Sequence, residues 1–395
     1  MPEAAISYKR INLLKQAQSR EKGLLRLLQG LVEFESPSDE KAAFDRCLDF
    51  TAQAAANRGA TIRRHRRSSA GDILEARFGP QKGGRNAAKP ILLLGHLDTV
   101  WPLGTLAQMP FRIEKGRAWG PGIFDMKAGV AMALTALDLL QAEKLPHLPV
   151  ILLLTSDEET GSSASRSLTE RIARRCEAVY VLEPAQGVEG AYKTARKGVA
   201  GYRVHVTGVA AHSGVSFGHG HSAIAELARQ VSAIEACTGF RRGITVNVGT
   251  IQGGTRSNVV PAEAWAEIDA RVVRAADFSP LDRRIRDLRV HDKACVLKVE
   301  GGLNRPPMER APATVALYRQ AAKLAAGMGF DLREASTGGG SDGNFTAALG
   351  IPTLDGMGAV GEGAHALNES VLLRELGPRT ALLAAMLCQS GSGAV

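Results

Sequence analysis

The sequence predicts an α/β fold in which a mostly parallel sheet, covered by helices, carries an inserted α+β domain. Short runs of consecutive apolar residues alternate with helical segments in the first half of the chain, as is typical of parallel strands buried on both faces. After about residue 199 the pattern changes to alternating apolar and polar residues, which indicates an antiparallel sheet. At 395 residues the chain also exceeds the usual size of a single core. We therefore expect one domain formed by 1–198 and 307–395, with a second domain inserted at 199–306.

The first domain begins with two helices and then alternates strands with helices. The clearest strand is 91–94, because four apolar residues run directly into Gly95 and His96. A glycine-rich segment at 116–125 is expected to be irregular. In order, we predict helices at about 20–34 and 39–58, strands at 60–66, 73–78 and 91–94, a helix at 130–141, a strand at 150–154, a helix at 165–175 and a strand at 179–182.

The inserted domain shows three alternating segments, after which the chain returns to the first domain. Ser222 is expected to cap the helix of the insert, and His219 and His221, just before it, are expected at the surface. In order, we predict a strand at 201–208, a helix at 222–236, strands at 244–251 and 262–273, a loop at 301–307, a helix at 313–327, a glycine-rich turn at 337–342, a strand at 351–354 and a helix at 371–388.

Composition argues against several classes of protein. The net charge of +9 favours anionic partners. The basic run at 63–67 has no interleaved aromatic residues, so we expect it to be a solvated strand edge or loop and not a nucleic-acid site. No apolar run approaches ~20 residues, and the polar N-terminus lacks the apolar core of a signal peptide, so we expect no membrane partner. The five cysteines are scattered and lack C-x-x-C spacing, so we expect neither disulfides nor a thiolate zinc site. Cysteines used in this way predict a cytoplasmic protein.

Acidic residues and a histidine follow three of the predicted buried strands. His96 and Asp98 end one strand, Glu158 and Glu159 follow the next, and Glu183 follows the third. The carboxyl ends of parallel strands meet at one edge of the sheet, where open α/β folds place their ligands. Acids gathered there repel one another unless a multivalent cation neutralises them. The alternatives are a core histidine bonded to a neighbouring carboxylate, and surface acids favoured by a helix dipole.

A fourth candidate acid, Asp125, lies in the glycine-rich loop between the first two of these strands. Nitrogen and carboxylate ligands without thiolates suit zinc, and also manganese or cobalt. Two such ions about 3.5–4 Å apart require a bridging carboxylate, an arrangement that hydrolases use. Because adjacent residues leave a strand in different directions, one of Glu158 and Glu159 can bind metal while the other accepts a proton.

Four segments carry these residues in a fixed order. They are Gly95-His96-Leu97-Asp98-Thr99-Val100, Gly120-Pro121-Gly122 with Asp125-Met126-Lys127 and Gly129, Asp157-Glu158-Glu159 with Gly161-Ser162, and Glu183-Pro184. Together they resemble the motifs of the M20 metallopeptidase family, and within it the glutamate carboxypeptidase (carboxypeptidase G2-like) branch. The resemblance extends over nearly the whole chain after the first ~20 residues.

The resemblance implies a zinc-hydrolase catalytic domain that binds two Zn²⁺ ions per subunit, with Mn²⁺ or Co²⁺ as possible replacements. His96 and Glu183 would bind one ion, Glu159 and His365 would bind the other, and Asp125 would bind both. In this family a cis peptide bond often follows the bridging aspartate. His365 on its own is a loop histidine, and only its position in the resemblance implies a role.

The resemblance also implies roles for residues that do not bind metal. Asp98 would orient His96, and Glu158 would be the general base and acid. The insert would be a lid and dimerisation domain, an antiparallel four-stranded sheet with two helices. His212, in Ala211-His212-Ser213-Gly214, would reach the active site of the partner subunit and polarise the scissile carbonyl. Without the resemblance, a turn histidine in a loop rich in serine and glycine is the preferred interpretation of His212.

Substrate-binding residues are implied around the insert. Asn258 would help to hold the substrate carboxylate, and Arg305, before two prolines, could bind it bidentately, although a surface arginine is the alternative. Gly339 and Gly340 would line the pocket. Basic residues crowd the stretch before the insert, and the sequence does not single out which of them contacts substrate: Lys193, Arg196 or Lys197.

Taken as a whole, the resemblance implies a homodimeric two-zinc hydrolase that cleaves an amide bond next to a free α-carboxylate. Water between the two ions would attack the carbonyl while Glu158 takes its proton. A glutamate carboxypeptidase-like exopeptidase acting on a small peptide or N-acyl amino acid is the leading interpretation. An N-acyl-amino-acid deacylase and a dipeptidase stay open, as does an inactive dimeric homologue that only binds its ligand.

Overall fold

The structure is a computed structural model that describes residues 13–79 and 88–388. These residues group into two compact units. The main unit consists of the chain up to Ala195, Arg310–Thr337 and the chain from Ser341 onward, and the inserted unit consists of Arg196–Glu309 with Gly338–Gly340. The inserted unit begins and ends a few residues outside the predicted 199–306, and it includes three glycines from a distant turn.

Helices form close to the segments whose apolar spacing predicts them. The helix at Ala128–Ala142 lacks a polar face because it is buried along almost its whole length. Residues 13–19 are also helical. The helices are α1 (Glu21–Glu33), α2 (Lys41–Ala56), α3 (Thr105–Gln108), α4 (Ala128–Ala142), α5 (Arg166–Ala173), α6 (Ala223–Glu235), α7 (Ala275–Arg286), α8 (Pro312–Ala326), α9 (Gly343–Ala348) and α10 (Leu373–Leu387).

Strands account for the apolar runs and the alternating segments. They are β1 (Thr61–His65), β2 (Ile73–Phe78), β3 (Ile91–His96), β4 (Arg112–Glu114), β5 (Arg117–Trp119), β6 (Val150–Thr155), β7 (Ala178–Val181), β8 (Tyr192–Arg196), β9 (Gly198–Thr207), β10 (Ala211–His212), β11 (Thr245–Gly253), β12 (Val259–Val260), β13 (Glu263–Val272), β14 (Val296–Arg305), β15 (Glu334–Thr337), β16 (Thr353–Leu354), β17 (Gly361–Glu362) and β18 (Ser370–Leu372).

The main unit is built on a six-stranded sheet in the order β1-β2-β6-β3-β7-β16. The strands β6, β3, β7 and β16 run parallel, and β2 and β1 add an antiparallel edge. On β3, Ile91 and Leu93 pack into one apolar cluster with α4 and α10, whereas Leu92 and Leu94 face the other side, where Leu168 of α5 packs. Burial on both faces explains the continuous apolar run. The predicted helix-covered, mostly parallel sheet is confirmed.

The inserted unit is a four-stranded antiparallel sheet in the order β11-β13-β9-β14, packed with α6 and α7. Alternate residues of β9, namely Tyr202, Val204 and Val206, are buried in a cluster with Leu227 of α6 and Ile285 of α7. The residues between them on β9 are more exposed, as a sheet with one covered face requires. The predicted α+β insert is therefore confirmed.

Two expectations of irregular structure were wrong. The segment expected to be a loop from 301 belongs to β14, an edge strand of the inserted sheet that pairs with β9 up to Arg305. The glycine-rich segment at 116–125 contains β5, which pairs with β18 in a four-stranded sheet, β17-β18-β5-β4. Edge strands carry charged residues and short strands depend on distant partners, so neither shows an apolar pattern of its own.

Several local expectations can be compared directly with the structure. Ser222 caps α6, and its Oγ accepts a hydrogen bond from the N–H of Ala225 at 3.1 Å. The five cysteines, all within the described ranges, form no disulfide. Among the helices of 13–79 and 88–388, none combines the length and the apolar character that a membrane crossing requires.

The basic run at 63–67 lies on and beside the edge strand β1 and is bonded within the chain. Arg64 pairs with three aspartates, and its Nε lies 2.6 Å from Oδ2 of Asp72. The ammonium of Lys41 and the backbone N–H of Arg67 lie 2.5 and 2.9 Å from the other oxygen of Asp72. Burial opposes the charge of this carboxylate, but the surrounding donors outweigh burial and lower the pKa of Asp72 to about 2.

We expect Asp72→Asn to lower the free energy of unfolding at pH 7 by about 2 kcal/mol, because a carboxylate with a lowered pKa stabilises the folded state when ionised. That contribution is fully present above pH 4, the range of the unfolded pKa, and is lost as the pH falls through about 2. Urea unfolding of both proteins between pH 2 and 7 measures it.

The matched control for this substitution is Asp49→Asn, since Asp49 also pairs with Arg64 but its side chain is 64% exposed. Its cost should stay below about 1 kcal/mol. An equal cost for both variants, or a cost for Asp72→Asn that does not change with pH, would contradict the expectation.

Candidate metal centre and substrate residues

Three neighbouring strands of the main sheet place the predicted acids at one edge. His96 is the last residue of β3, a short helical turn with Glu158 and Glu159 follows β6, and Glu183 follows β7. Because β6, β3 and β7 are adjacent and parallel, their carboxyl ends lie side by side. The structure therefore brings together side chains that lie up to 87 residues apart in the sequence.

Asp125 reaches this edge from a tight turn before α4. Gly122 has a φ of 68°, and a Cβ there would lie 2.5 Å from Cγ2 of Thr99, so only glycine fits. The Asp125–Met126 peptide bond is cis, as the resemblance implied.

His365 reaches the same edge from the loop between β17 and β18. The loop turns at Gly363, whose φ is 79°, and His365 itself has a φ of 63°. Backbone N–H groups of Ala366 and Glu369 donate to the carbonyls of Gly363 and Ala366, both at 2.9 Å. This tight loop directs the ring of His365 back toward Asp125.

The two oxygens of Asp125 each face a different imidazole. Oδ1 of Asp125 lies 3.3 Å from Nε2 of His96, and Oδ2 lies 3.4 Å from Nε2 of His365. Each imidazole has a second carboxylate, since His96 Nε2 lies 3.6 Å from Glu183 Oε1 and His365 Nε2 lies 3.1 Å from Glu159 Oε1. The arrangement is two histidine–carboxylate pairs that share one aspartate.

This side-chain arrangement fits divalent cations. Nε2 of His96 and Oδ1 of Asp125 are buried, and neither has a hydrogen-bond partner among the residues that the structure describes. Ligand atoms of His96, Asp125 and Glu159 lie within 4.8 Å of one another, as do those of His96, Glu158 and Glu183. Buried polar atoms normally have partners, and a cation among these nitrogen and oxygen atoms would supply one.

The pKa shifts of these side chains show how strongly the groups interact. Burial disfavours the charged form of His96, but the carboxylates of Asp125, Asp98 and Glu183 outweigh burial and raise its pKa well above the usual value. Asp125 and Glu159 raise the pKa of His365 to about 10. Burial raises the pKa of Glu159. These shifts show that the acids favour a positive charge beside them, which a bound cation would supply in place of a proton on an imidazole.

Asp98 contacts His96 through its main chain as well as its carboxylate. The Nδ1 of His96 lies 2.9 Å from the backbone carbonyl oxygen of Asp98 and 3.5 Å from its carboxylate. The carboxylate also accepts hydrogen bonds from the backbone N–H groups of Glu158 and Glu159, at 3.3 and 3.1 Å, and from the hydroxyl of Ser38 at 2.8 Å. Asp98 therefore fixes the ring through its main chain and the Glu158–Glu159 turn through its side chain.

Sequence reasoning missed Glu369, a fully buried acid four residues after His365. Its carboxylate accepts hydrogen bonds from the indole of Trp101 and from three backbone N–H groups of the Asp125 turn. A single acid in a loop gives no periodic signal, and its burial depends on a segment almost 250 residues away.

In the inserted unit, the structure brings His212 and Asn258 together. The two-residue strands β10 and β12 pair His212 with Val259, and the N–H of Ser213 donates to the carbonyl of Asn258 at 3.0 Å. The ring of His212 is exposed, and its Nδ1 accepts hydrogen bonds from the N–H groups of Gly214 and Val215 at 3.1 and 3.2 Å. In the neutral ring the proton is therefore on Nε2, which can donate outward.

A second group in the inserted unit contains Arg305 and the glycines of the turn. A Cβ on Gly340 would lie 2.9 Å from Cδ of Arg305, so glycine is needed for this close approach. Nη1 of Arg196 donates to the carbonyls of Gly340 and Gly339, at 3.0 and 3.3 Å. Arg196 is thus the basic residue next to the predicted pocket lining.

The other basic and histidine candidates lie elsewhere. Lys193 is buried in the main unit, where its backbone pairs with Asp355, and Nζ of Lys197 lies 3.5 Å from the hydroxyl of Thr245. His221 pairs with Asp292 at 2.8 Å near the surface of the inserted unit, and His219 is exposed.

Comparison with known proteins identifies one matching family profile and several related sequences. The profile of Peptidase family M20/M25/M40 matches residues 92–389. Carboxypeptidase G2 of Pseudomonas sp. (strain RS-16) is 29% identical over 97% of this chain and 93% of its own length. Succinyl-diaminopimelate desuccinylase of Delftia acidovorans (strain DSM 14801 / SPH-1) is 27% identical over 90% of this chain and 94% of its own length.

Solved structures show the same fold. The aminopeptidase PepT from Bacillus cereus ATCC 10987 superimposes with a TM-score of 0.75 at 24% identity, covering 93% of this chain and 98% of that protein. The matched family profile also spans every residue of the two histidine–carboxylate pairs, from His96 to His365.

We expect Zn²⁺, Mn²⁺ or Co²⁺ to raise the melting temperature of chelator-treated protein by about 5 °C or more, because an ion that binds only the folded state stabilises it. Asp125→Asn keeps the shape of the shared ligand but removes its charge, and should reduce the shift to below about 2 °C. Asp292→Asn, which removes the partner of surface His221, is the control and should keep the full shift. Differential scanning fluorimetry measures these melting temperatures. If none of the three ions raises the melting temperature of the wild-type protein, the result would argue against a metal centre.

Proposed function

Because the chain belongs to Peptidase family M20/M25/M40 and is a hydrolase of amide bonds, we propose that it is a two-zinc enzyme that cleaves the amide bond next to a free α-carboxylate. The leading activity is that of a glutamate carboxypeptidase-like exopeptidase. The observation that carries the proposal is Asp125, whose two oxygens each face an imidazole that has its own second carboxylate. A doubled donor set of this kind supports two cations that share one ligand.

We assign one ion to His96 and Glu183, the other to Glu159 and His365, and Asp125 to both. The donor set would accept zinc, and also manganese or cobalt. When bound, two such ions would supply Lewis-acid polarisation and a water of lowered pKa.

Glu158 is the proposed general base and acid. Its backbone N–H is held by Asp98 at 3.3 Å, and its side chain leaves the turn beside the ligand Glu159. One carboxylate oxygen of Glu158 lies within 4.8 Å of the ligand atoms of His96 and Glu183. From there it can take a proton from the attacking water and pass it to the leaving nitrogen.

His212 is the proposed donor to the oxyanion. Its exposed Nε2 carries the proton in the neutral ring, because the loop occupies Nδ1 with two backbone N–H donors. A donor oriented in advance toward developing negative charge lowers the barrier to carbonyl attack.

The substrate carboxylate is assigned to Arg305 and Asn258, with Gly339 and Gly340 as pocket lining. A guanidinium binds a carboxylate bidentately, which suits a small peptide or N-acyl amino acid.

The similarity to a desuccinylase supports an N-acyl-amino-acid deacylase as the second candidate activity, with a dipeptidase as a further variant of the same chemistry. The five cysteines form no disulfide and four of them are buried, which supports a reducing compartment, and we propose the cytoplasm.

The proposed activity requires a free α-carboxylate on the substrate. We expect the zinc-loaded enzyme to hydrolyse members of a panel of peptidyl and N-acyl amino acids, with C-terminal glutamate among the best leaving groups, and to lose kcat/KM when that carboxylate is amidated. Glu158→Gln should lower kcat by about 10²–10⁴-fold while the metal content stays unchanged. Liquid chromatography of the products measures the rates, and elemental analysis measures the metal content.

Glu170→Gln, which removes an acid from α5 that pairs with Arg166 and Arg174, is the control for this substitution. Near-normal turnover of Glu158→Gln would reject the assigned base. A zinc-loaded wild-type enzyme that hydrolyses nothing in the panel would reject the activity.

We further propose a homodimer that forms through the inserted unit. The strand β11 is an edge of the inserted sheet, with Ile251 54% exposed, and Ile224 at the start of the adjacent α6 is 40% exposed. The outward side of α6 also carries Ala225, Ala228 and Ser232, small residues that permit close approach of a second helix. An uncovered strand edge beside such a helix suits pairing with a second copy.

If His212 acts in the partner subunit, two inactive variants should complement each other. His212→Ala and Glu158→Gln, each nearly inactive alone, should regain about a quarter of wild-type activity when mixed after dissociation, because half of the dimers are mixed and each has one complete site. Light scattering measures the oligomeric state and the product assay measures recovery. A dimer without recovery would mean that His212 does not act in the partner subunit, and a monomeric wild-type protein would reject the dimer itself.

A further inference from the structure

Glu369 is a fully buried acid surrounded by donors. Its Oε2 accepts hydrogen bonds from the indole N–H of Trp101 at 2.8 Å and the backbone N–H of Gly122 at 2.9 Å. Its Oε1 accepts hydrogen bonds from the backbone N–H groups of Phe124 and Asp125 at 2.9 and 3.1 Å. Four donors at these distances satisfy the acceptor capacity of a buried carboxylate, so this side chain is held in one orientation.

Three of those four donors belong to one turn, Gly122–Asp125. A turn of this kind leaves backbone N–H groups without partners inside the turn, and an acceptor from elsewhere must satisfy them if they are buried. Glu369 supplies that acceptor, and one of the N–H groups is that of Asp125 itself. The position of the Asp125 carboxylate, with its two imidazole contacts, therefore depends on Glu369.

Glu369 also belongs to the loop that carries His365. Its backbone N–H donates to the carbonyl of Ala366 at 2.9 Å, and the N–H of Ala366 donates to Gly363, so the loop between Gly363 and Glu369 is closed by its own hydrogen bonds. The side chain of Glu369 thus ties the loop of His365 to the turn of Asp125. The two groups joined in this way are the ones that face each other at 3.4 Å.

We propose that Glu369 is a positioning residue of the metal centre that sets the separation of Asp125 and His365, and so the affinity of the ion that these two share with Glu159. This inference rests on the proposed two-metal function. The other ion also has Asp125 as a ligand but depends less on Glu369, because its remaining ligands are held by the main sheet. His96 is the last residue of β3 and Glu183 follows β7, and these two strands are paired directly up to Leu94 and Val181.

Removal of this carboxylate should loosen the link without dismantling the fold. The backbone pairing of β18 with β5 places Ser370 opposite Trp119, next to Glu369, and does not involve the carboxylate. In Glu369→Gln the amide offers one oxygen and one NH₂ group in place of two oxygens, so two of the four N–H donors lose their acceptor. The Asp125 turn would then relax while the sheet around it persists.

The experiment is metal titration of chelator-treated full-length protein with Zn²⁺, by calorimetry and by competition with a chromophoric chelator, together with the visible absorption of the Co²⁺ form. For wild type we expect two binding events. For Glu369→Gln we expect the affinity of one event to fall about 10–100-fold, the usual effect of losing a group that supports a ligand, while the other changes by less than about 3-fold. The Co²⁺ spectrum of the weakened position should change with it.

The control is Glu75→Gln, the same substitution at a buried carboxylate of β2 that accepts hydrogen bonds from His65 and Arg77. It should lower stability without altering either metal affinity. If Glu369→Gln fails to fold, Glu369→Asp keeps the charge but shortens the reach by one methylene, and it should show the same selective loss to a smaller degree.

The possible results separate the two proposals. Selective loss of one affinity supports the role of Glu369. Unchanged affinities, or an equal fall in both, would overturn that role while leaving the two-metal centre in place. A wild-type protein that binds fewer than two ions would overturn the two-metal function, and the role of Glu369 with it.

Discussion

The crowding of acids at the carboxyl ends of β3, β6 and β7 is the constraint on which the rest of the main unit depends. Two carboxylates about 4 Å apart near a protein surface repel each other by roughly 4 kcal/mol, and this edge gathers several of them around two imidazoles. Hydrogen bonds relieve only part of the repulsion, since Oδ1 of Asp125 has no such partner among the described residues. Positive charge must supply the relief, either as protons on His96 and His365 or as metal ions.

The geometry of this edge is maintained mainly by hydrogen bonds to backbone N–H groups. Asp98 accepts from the N–H groups of Glu158 and Glu159, and Glu369 accepts from the turn that carries Asp125. In both cases a buried carboxylate fixes the backbone of a residue that belongs to the cluster. Orientation through the backbone leaves the functional side chains free to bind a cation or to exchange a proton.

The parts of the fold that the sequence predicts are those with a local physical signal. Continuous apolar runs identified β3, β6 and β7, because burial on both faces requires apolar residues at every position. The strand β14 and the small sheet around β5 were missed, since charged edge strands and three-residue strands depend on partners elsewhere in the chain. Glu369 was missed for the same reason, because its burial depends on a turn that is distant in sequence.

The candidate metal ligands carry a clearer signal in the sequence than the candidate substrate residues, and the structure gives a physical reason for the difference. A histidine or an acid at the end of a buried strand has few other uses, so residue type and position together indicate its chemistry. Arg196 and Arg305, in contrast, are both buried against the backbone of Gly339 and Gly340, where an arginine can shape a turn as well as bind an anion. Which of these roles each arginine has depends on how three separate segments pack together, and residue type alone does not encode that packing.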